Sequence, residues 1–168
     1  QGIIGECREP HFTHRETLLR GLLMSIFRTS RELPAAPESV FAAIADPVRL
    51  ARWWGPDGFT NTFQTFEFRN GGAWQFIMHG PDGTDYPNQS EFLEILPASM
   101  VRIRHINQPH FDLSISLESS PGGTLVSWLG VFEDHEFAEN LRQFLETANE
   151  QNLDRLALEV NSGAPGCT

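Results

Sequence analysis

Six strand-like runs joined by short turns, followed by one long amphipathic stretch, leave this chain few ways to fold. The runs cover about residues 59–69, 72–80, 86–96, 100–107, 110–118 and 124–132. Between them stand Asn70-Gly71-Gly72, Gly80-Pro81-Asp82-Gly83, Pro97-Ala98-Ser99, Asn107-Gln108-Pro109 and Pro121-Gly122-Gly123, all short enough for hairpins. An antiparallel meander follows. Residues 134–160 then place Phe137, Leu141, Phe144, Leu145, Ala148, Leu153, Leu156 and Val160 at helical spacing behind an Asp134 N-cap. At 1.5 Å per residue such a helix is about 40 Å long and spans the sheet.

Ahead of the meander, residues 25–33 form a first strand that Pro34 ends. Pro37 takes a first helical position, with Val40, Phe41 and Ile44 spaced for one buried face. Asp46-Pro47 repeats the start signal for a second short helix that runs into Trp53-Trp54 and stops at Gly55-Pro56. A seven-stranded sheet with one apolar face, two short helices between its first two strands and one long C-terminal helix packs economically in one way. The sheet curls around the long helix, giving an α+β helix-grip fold, and its curvature leaves a cavity between the two.

Alternation identifies the inner face. Trp74, Phe76 and Met78 share one parity, as do Phe111, Leu113, Ile115 and Leu117. In the run from Met100, Arg102 and Arg104 share the wet face, which turns Val101, Ile103 and His105 inward. Phe66, Phe92 and Trp128 are assigned to the same cavity wall, and Leu141, Phe144 and Ala148 face it from the helix. Phe144, midway along that helix, is expected to point at the strand bearing Trp74, Phe76 and Met78. Trp54 is expected to cap the cavity mouth, with Gly55-Pro56 and Gly58 making the adjoining loop a lid.

Two titratable residues are candidates for chemistry in the cavity. A neutral His105 imidazole among apolar neighbours can accept a proton or hold a ligand carbonyl, although a histidine bonded to backbone fits the same position. Glu94 shares parity with Phe92 and Leu96, where desolvation would raise its pKa. Leu93 and Ile95 make the opposite face equally apolar, so the reversed register would leave Glu94 in solvent. No metal site is expected: His11-x-x-His14 lies in an irregular leader, and His105 and His110 flank a turn without a third ligand. Cys7 and Cys167 read as incidental thiols. Gly71-Gly72 and Gly122-Gly123 read as hairpin turns, and no nucleophile elbow or dinucleotide fingerprint is found, so no cofactor is expected.

Charge narrows the partners. The formal net charge is -10, and all 12 basic residues are Arg. That balance lacks the clustered cations needed for nucleic acid or anionic lipid. No apolar run approaches the roughly 20 residues needed to cross a bilayer, so the chain reads as cytoplasmic. Residues 1–23 show little periodicity and read as an extension, with Met24 as a candidate natural start. Residues 24–160 read as the domain and 161–168 as a tail.

The order of elements, and several motifs within it, resemble the START-like helix-grip superfamily, also called SRPBCC, in the branch related to the activator of the heat-shock-protein-90 ATPase. The motifs are Ala36-Pro37-Glu38-Ser39-Val40-Phe41, Asp46-Pro47 leading to Trp53-Trp54-Gly55-Pro56, and Phe68-Arg69-Asn70-Gly71-Gly72-Ala73-Trp74. Gly80-Pro81-Asp82-Gly83, Glu94-Ile95-Leu96-Pro97 and Leu153-Asp154-Arg155-Leu156 continue the series. Two positions depart from the family: Asn149 stands where Trp is usual, and Arg104 where an aromatic is common. The resemblance implies a pocket and leaves its ligand open. Three functions are compatible with it: binding of a hydrophobic or aromatic small molecule, a cyclase or dehydratase using an interior acid-base group, and stimulation of a chaperone ATPase. A chaperone and a second copy of the chain are the macromolecular partners left open.

Overall fold

Asp46 closes one helix and opens another, and with that corner the chain turns from its first strand into the meander. The structure, a computed structural model, describes residues 24–162. Strand β1 (Ser25–Leu33) is followed by α1 (Pro37–Ala45) and α2 (Pro47–Trp53). The Asp46 carboxylate accepts from the amides of Val48 and Arg49 at the start of α2, and Pro47 fills a position whose missing N–H costs nothing. The meander comprises β2 (Thr60–Phe66), β3 (Ala73–His79), β4 (Asp85–Leu96), β5 (Met100–His105), β6 (Phe111–Ser120) and β7 (Gly123–Phe132). Two helices follow, α3 (His135–Asn140) and α4 (Arg142–Ser162).

All seven strands join one antiparallel sheet in the order β1-β7-β6-β5-β4-β3-β2. The inner parity follows the alternation: Trp74, Phe76, Ile103, His105, Leu113, Ile115 and Trp128 are buried. Extra residues at Gln64 and Leu93 interrupt the ladders of β2 with β3 and of β4 with β5. Such bulges bend their strands and help the sheet curl.

The expected single C-terminal helix is two helices. Asp134 does cap the first, accepting from the Phe137 amide, but α3 ends at Leu141, whose backbone (φ -106, ψ 8) leaves the helical region. Arg142 holds the corner. It binds Glu139 and Glu146 and lies over the Phe27 ring at 4.3 Å, pinning the break against β1.

The core is unevenly placed along α4. In its C-terminal half, Leu153, Leu156 and Val160 are buried against Val40 and Ile44 of α1 and Leu50 and Trp53 of α2. Each such side chain contributes roughly 1.5–3 kcal/mol on burial. Glu159 bonds both Arg49 and Arg52 there, tying α2 to α4. The N-terminal half of α4 is not packed in this way. Phe144 is 60% exposed.

Candidate functional site

Beneath that unpacked half lies a cavity of about 290 Å³. Its floor is the inner face of the sheet, including Phe76 and Met78 of β3, Ile103 and His105 of β5, Phe111 and Leu113 of β6, and Trp128 of β7. Its roof is Phe137 of α3, Leu141 at the break, and Phe144, Leu145 and Ala148 of α4. The walls are almost entirely apolar, so a ligand would gain affinity from its own burial.

One floor position is empty by composition. Gly130 is buried on β7 among inward-facing residues, and a Cβ added there would meet only Phe132, at 3.7 Å. Glycine weakens a strand and often marks a close approach by a ligand or another backbone. Here part of the cavity is the volume that a larger residue would fill. A glycine inside an alternating strand was the signal in the sequence that could have found it.

Of the wall residues expected from the sequence, Trp54, Phe76, Met78, His105, Leu113, Trp128, Leu141, Phe144 and Ala148 border the cavity. Phe66, Trp74 and Phe92 do not. They form an aromatic block across β2, β3 and β4, with Trp74 and Phe92 stacked at 5.6 Å and 7°, and Phe66 edge-on to both. These rings are large enough to fill the space and close it. Phe144 lies at the cavity mouth, away from the packed rings around Trp74.

Glu94 also departs from the cavity. The extra residue at Leu93 reverses parity, so Glu94 pairs with Arg102 in the ladder and approaches its guanidinium at 3.6 Å on the outer face. Ile95 takes the inward place against the core. Glu94 is therefore excluded as an interior acid or base.

Trp54 is a fixed wall and not a lid. Its ring packs on Trp74 at 4.9 Å and Trp128 at 5.6 Å. The following loop is nailed to α4 by Arg155, which donates to the carbonyls of Arg52, Trp54, Gly55, Pro56 and Phe59. Asn152 and Gln151 accept from the amides of Gly55 and Asp57. Gly55 sits at φ +98, and a Cβ there would come within 2.7 Å of the Met78 methyl, so only glycine allows this turn against the cavity wall. Burial lowers the pKa of Arg155, partly opposed by the Asp57 carboxylate.

The cavity's polar lining is Asn88 and Ser90 of β4 and His105 of β5 on the sheet, and Asn149 and Asn152 on α4. Ser90 and His105 are directly paired in the ladder, and both are buried. The imidazole stacks on Phe111 at 4.7 Å and 10°. Burial lowers its pKa, partly opposed by hydrogen bonds to the backbone at Pro109 and Asn107. Asn88 and Ser90 lie in a polar part of β4, and nothing in the alternation marked them.

A constellation of Ser25, His135 and Glu139 lies at the start of β1. Ser25 Oγ is 2.9 Å from His135 Nδ1 and donates to Glu139 at 2.7 Å. Its proton goes to a carboxylate whose pKa is lowered to about 2, first by Arg142 and then by Ser25 itself. A carboxylate so poised is no base at neutral pH, and the serine is not activated. Among the described residues no three His, Cys, Asp or Glu side chains gather as a metal site. No described helix is long and apolar enough to cross a membrane. His11, His14, Cys7 and Cys167 lie outside the described residues, as does the assignment of Met24 as a start that rests on what precedes it.

A family model described as activator of Hsp90 ATPase homolog 1-like protein matches residues 34–160. No protein of curated function matches the chain. Among solved structures, the fold is shared with a protein from Chromobacterium violaceum that is 26% identical, covers 80% of this chain and 96% of its own, and gives a TM-score of 0.71. A solution structure from Arthrobacter aurescens is 24% identical over 83% of this chain and 87% of its own, with a TM-score of 0.74. An AHSA1-like protein from Aeromonas hydrophila is 18% identical, covering 86% and 100%, at 0.67.

Proposed function

The chain belongs to the activator of Hsp90 ATPase homolog 1-like family, and from that premise we propose that it binds a hydrophobic or aromatic small molecule in the cavity between its sheet and α4. The observation that carries this reading is the buried glycine, Gly130, in the cavity floor. A strand interior tolerates glycine at a cost in stability, and a cavity forfeits dispersion contacts along its lining. Both costs fall at the same place, under an apolar roof with a partly exposed rim at Phe137, Leu141 and Phe144.

Size supports a ligand of about two fused rings. An apolar cavity of about 150 Å³ accepts benzene, and this one is about 290 Å³. Filling the cavity from within tests the reading. Gly130→Val should raise stability in urea by up to about 1 kcal/mol, through β propensity and filled space. It should also abolish the tryptophan-fluorescence change that naphthalene produces through Trp54 and Trp128. Unchanged naphthalene binding in a stable Gly130→Val protein would show that the cavity is not the site.

A cyclase or dehydratase needs an acid-base group in the cavity. His105 remains as one, whereas Glu94 is outside, so this reading rests on a single residue. Chaperone stimulation remains the function carried by the family's description. It would require recognition by the outer surface, which a pull-down with purified chaperone would reveal.

A further inference from the structure

The polar edge of the cavity is one hydrogen short. Three links run in series along it: Asn88 to the Tyr86 carbonyl at 2.8 Å, Asn88 to His105 Nε2 at 2.7 Å, and His105 Nδ1 to the Pro109 carbonyl at 2.7 Å. Both ends are carbonyl oxygens, which only accept. The Asn88 amide turns its NH2 to one neighbour and its oxygen to the other, so it supplies one donor whichever way it is turned. A neutral imidazole supplies one more. Two hydrogens therefore serve three links.

A second proton on His105 would complete the series, but nothing around the ring neutralises that charge. The neighbours on β4 are Asn88 and Ser90, the ring face is covered by Phe111, and the roof offers apolar Phe144, Leu145 and Ala148 with the uncharged Asn149 and Asn152. His110, in the adjoining loop, opposes protonation. Glu91, Asp112 and Glu133 act on Arg104, which Asp112 engages at 3.0 Å. Meanwhile Ser90, only 4% exposed, lines the cavity directly opposite His105 in the ladder and brings a hydroxyl to the same edge.

We propose that the cavity selects, among apolar molecules, those carrying one acidic hydroxyl, which donates the missing hydrogen to His105 Nε2 in place of Asn88 and accepts from Ser90. This rests on the cavity being the binding site and adds the chemistry by which it would discriminate. A group that supplies a donor to an unmatched buried acceptor gains more than an ordinary surface hydrogen bond. The apolar body fills the space beside Trp54, Trp128 and Phe144.

Equilibrium titration of the full chain with naphthalene, its methyl ether derivative methoxynaphthalene, and naphthol separates the two claims. Naphthol should bind at least about tenfold more tightly than either of the others, although it is the more readily hydrated molecule. His105→Phe, which keeps a ring on Phe111 and removes both nitrogens, should erase the preference for naphthol over methoxynaphthalene, whatever it does to the affinity the ligands share. Naphthol binding no tighter than methoxynaphthalene would overturn the inference and leave the cavity reading intact. Failure of all three to bind would overturn both. Nitrogen NMR of the His105 ring in the unaltered chain provides a test independent of the variant's folding. Nε2 should move to a hydrogen-bonded shift on adding naphthol and not on adding naphthalene, and an Nε2 indifferent to naphthol would overturn the inference.

Discussion

Arg142 grips Glu139 through two parallel hydrogen bonds of 2.8 Å, across the single residue at which the C-terminal helix breaks. The pair places Leu141 over the cavity and sets the direction in which α4 leaves.

That clamp gives a prediction in acid. The Glu139 pKa is lowered from 4.5 to about 2, chiefly by Arg142. A depressed carboxylate contributes stability that is fully present above its unfolded value and is lost as pH falls through the folded one. The α3–α4 corner should therefore hold above about pH 4.5 and loosen as pH approaches 2. Carboxyl NMR should show Glu139 titrating near 2, and Arg142→Gln should return it toward the ordinary range. An ordinary Glu139 titration in the unaltered protein would refute the clamp.

Phe144 offers a second test. Because it is 60% exposed at the cavity mouth, Phe144→Ala should cost less than about 1 kcal/mol in urea denaturation, while weakening naphthalene binding severalfold. A loss of about 3–5 kcal/mol, as for a core aromatic, with unaltered affinity would make Phe144 scaffold.

The loop after Trp54 should behave as fixed structure. Arg155→Met removes a donor from five carbonyls, of which Trp54 keeps the Asn61 amide and Pro56 keeps the Phe59 N–H, and a loss of about 2–4 kcal/mol is expected. Arg155→Lys should rescue little, since one ammonium cannot reproduce the guanidinium's planar fork. Hydrogen exchange at the amides of Gly55 and Asp57 should be slow in the unaltered protein and fast in Arg155→Met. Fast exchange in both would restore the loop as a moving lid.

Adjacent glycines in one turn should respond differently to alanine. Gly71 has φ +76 and open space around it, so Gly71→Ala should cost only about 1 kcal/mol of backbone strain. Gly72→Ala would put a Cβ 1.9 Å from the Glu67 carbonyl oxygen, where only the backbone can yield. Thermal melts should show the Gly72 variant markedly less stable. Equal melting temperatures would mean that the turn relaxes freely.

The sheet and its inner face were legible in the sequence because turn residues set the strand lengths and alternation sets the parity. Depth was not legible. Trp74 and Phe76 share a parity, yet one closes the core and the other borders the cavity, a difference set by what α1 and α2 place above them. For Glu94 alternation left both faces open, since Leu93 and Ile95 are as apolar as Phe92 and Leu96, and a single extra residue at Leu93 decides for the outer one. The helix break was equally hidden, since the apolar stripe continues through Leu141 and the corner depends on Glu139, Arg142 and Phe27 meeting from different elements. Asn88 and Ser90 gain their importance only by standing beside His105, a juxtaposition created by strand pairing.

The order of strands also has a consequence for how the chain assembles. Every neighbouring pair from β2 to β7 is joined by a short connection and can form soon after its two strands exist. Among the described residues β1 has no such neighbour: Ser25 pairs with Phe132 and Leu33 with Thr124, so its ladder there lies roughly a hundred residues downstream. Closing so long a loop costs entropy before any contact compensates it. During synthesis β1 is therefore made before the meander and seated after it, with Phe27 and the cavity's β7 edge waiting on the ribosome to finish the later strands.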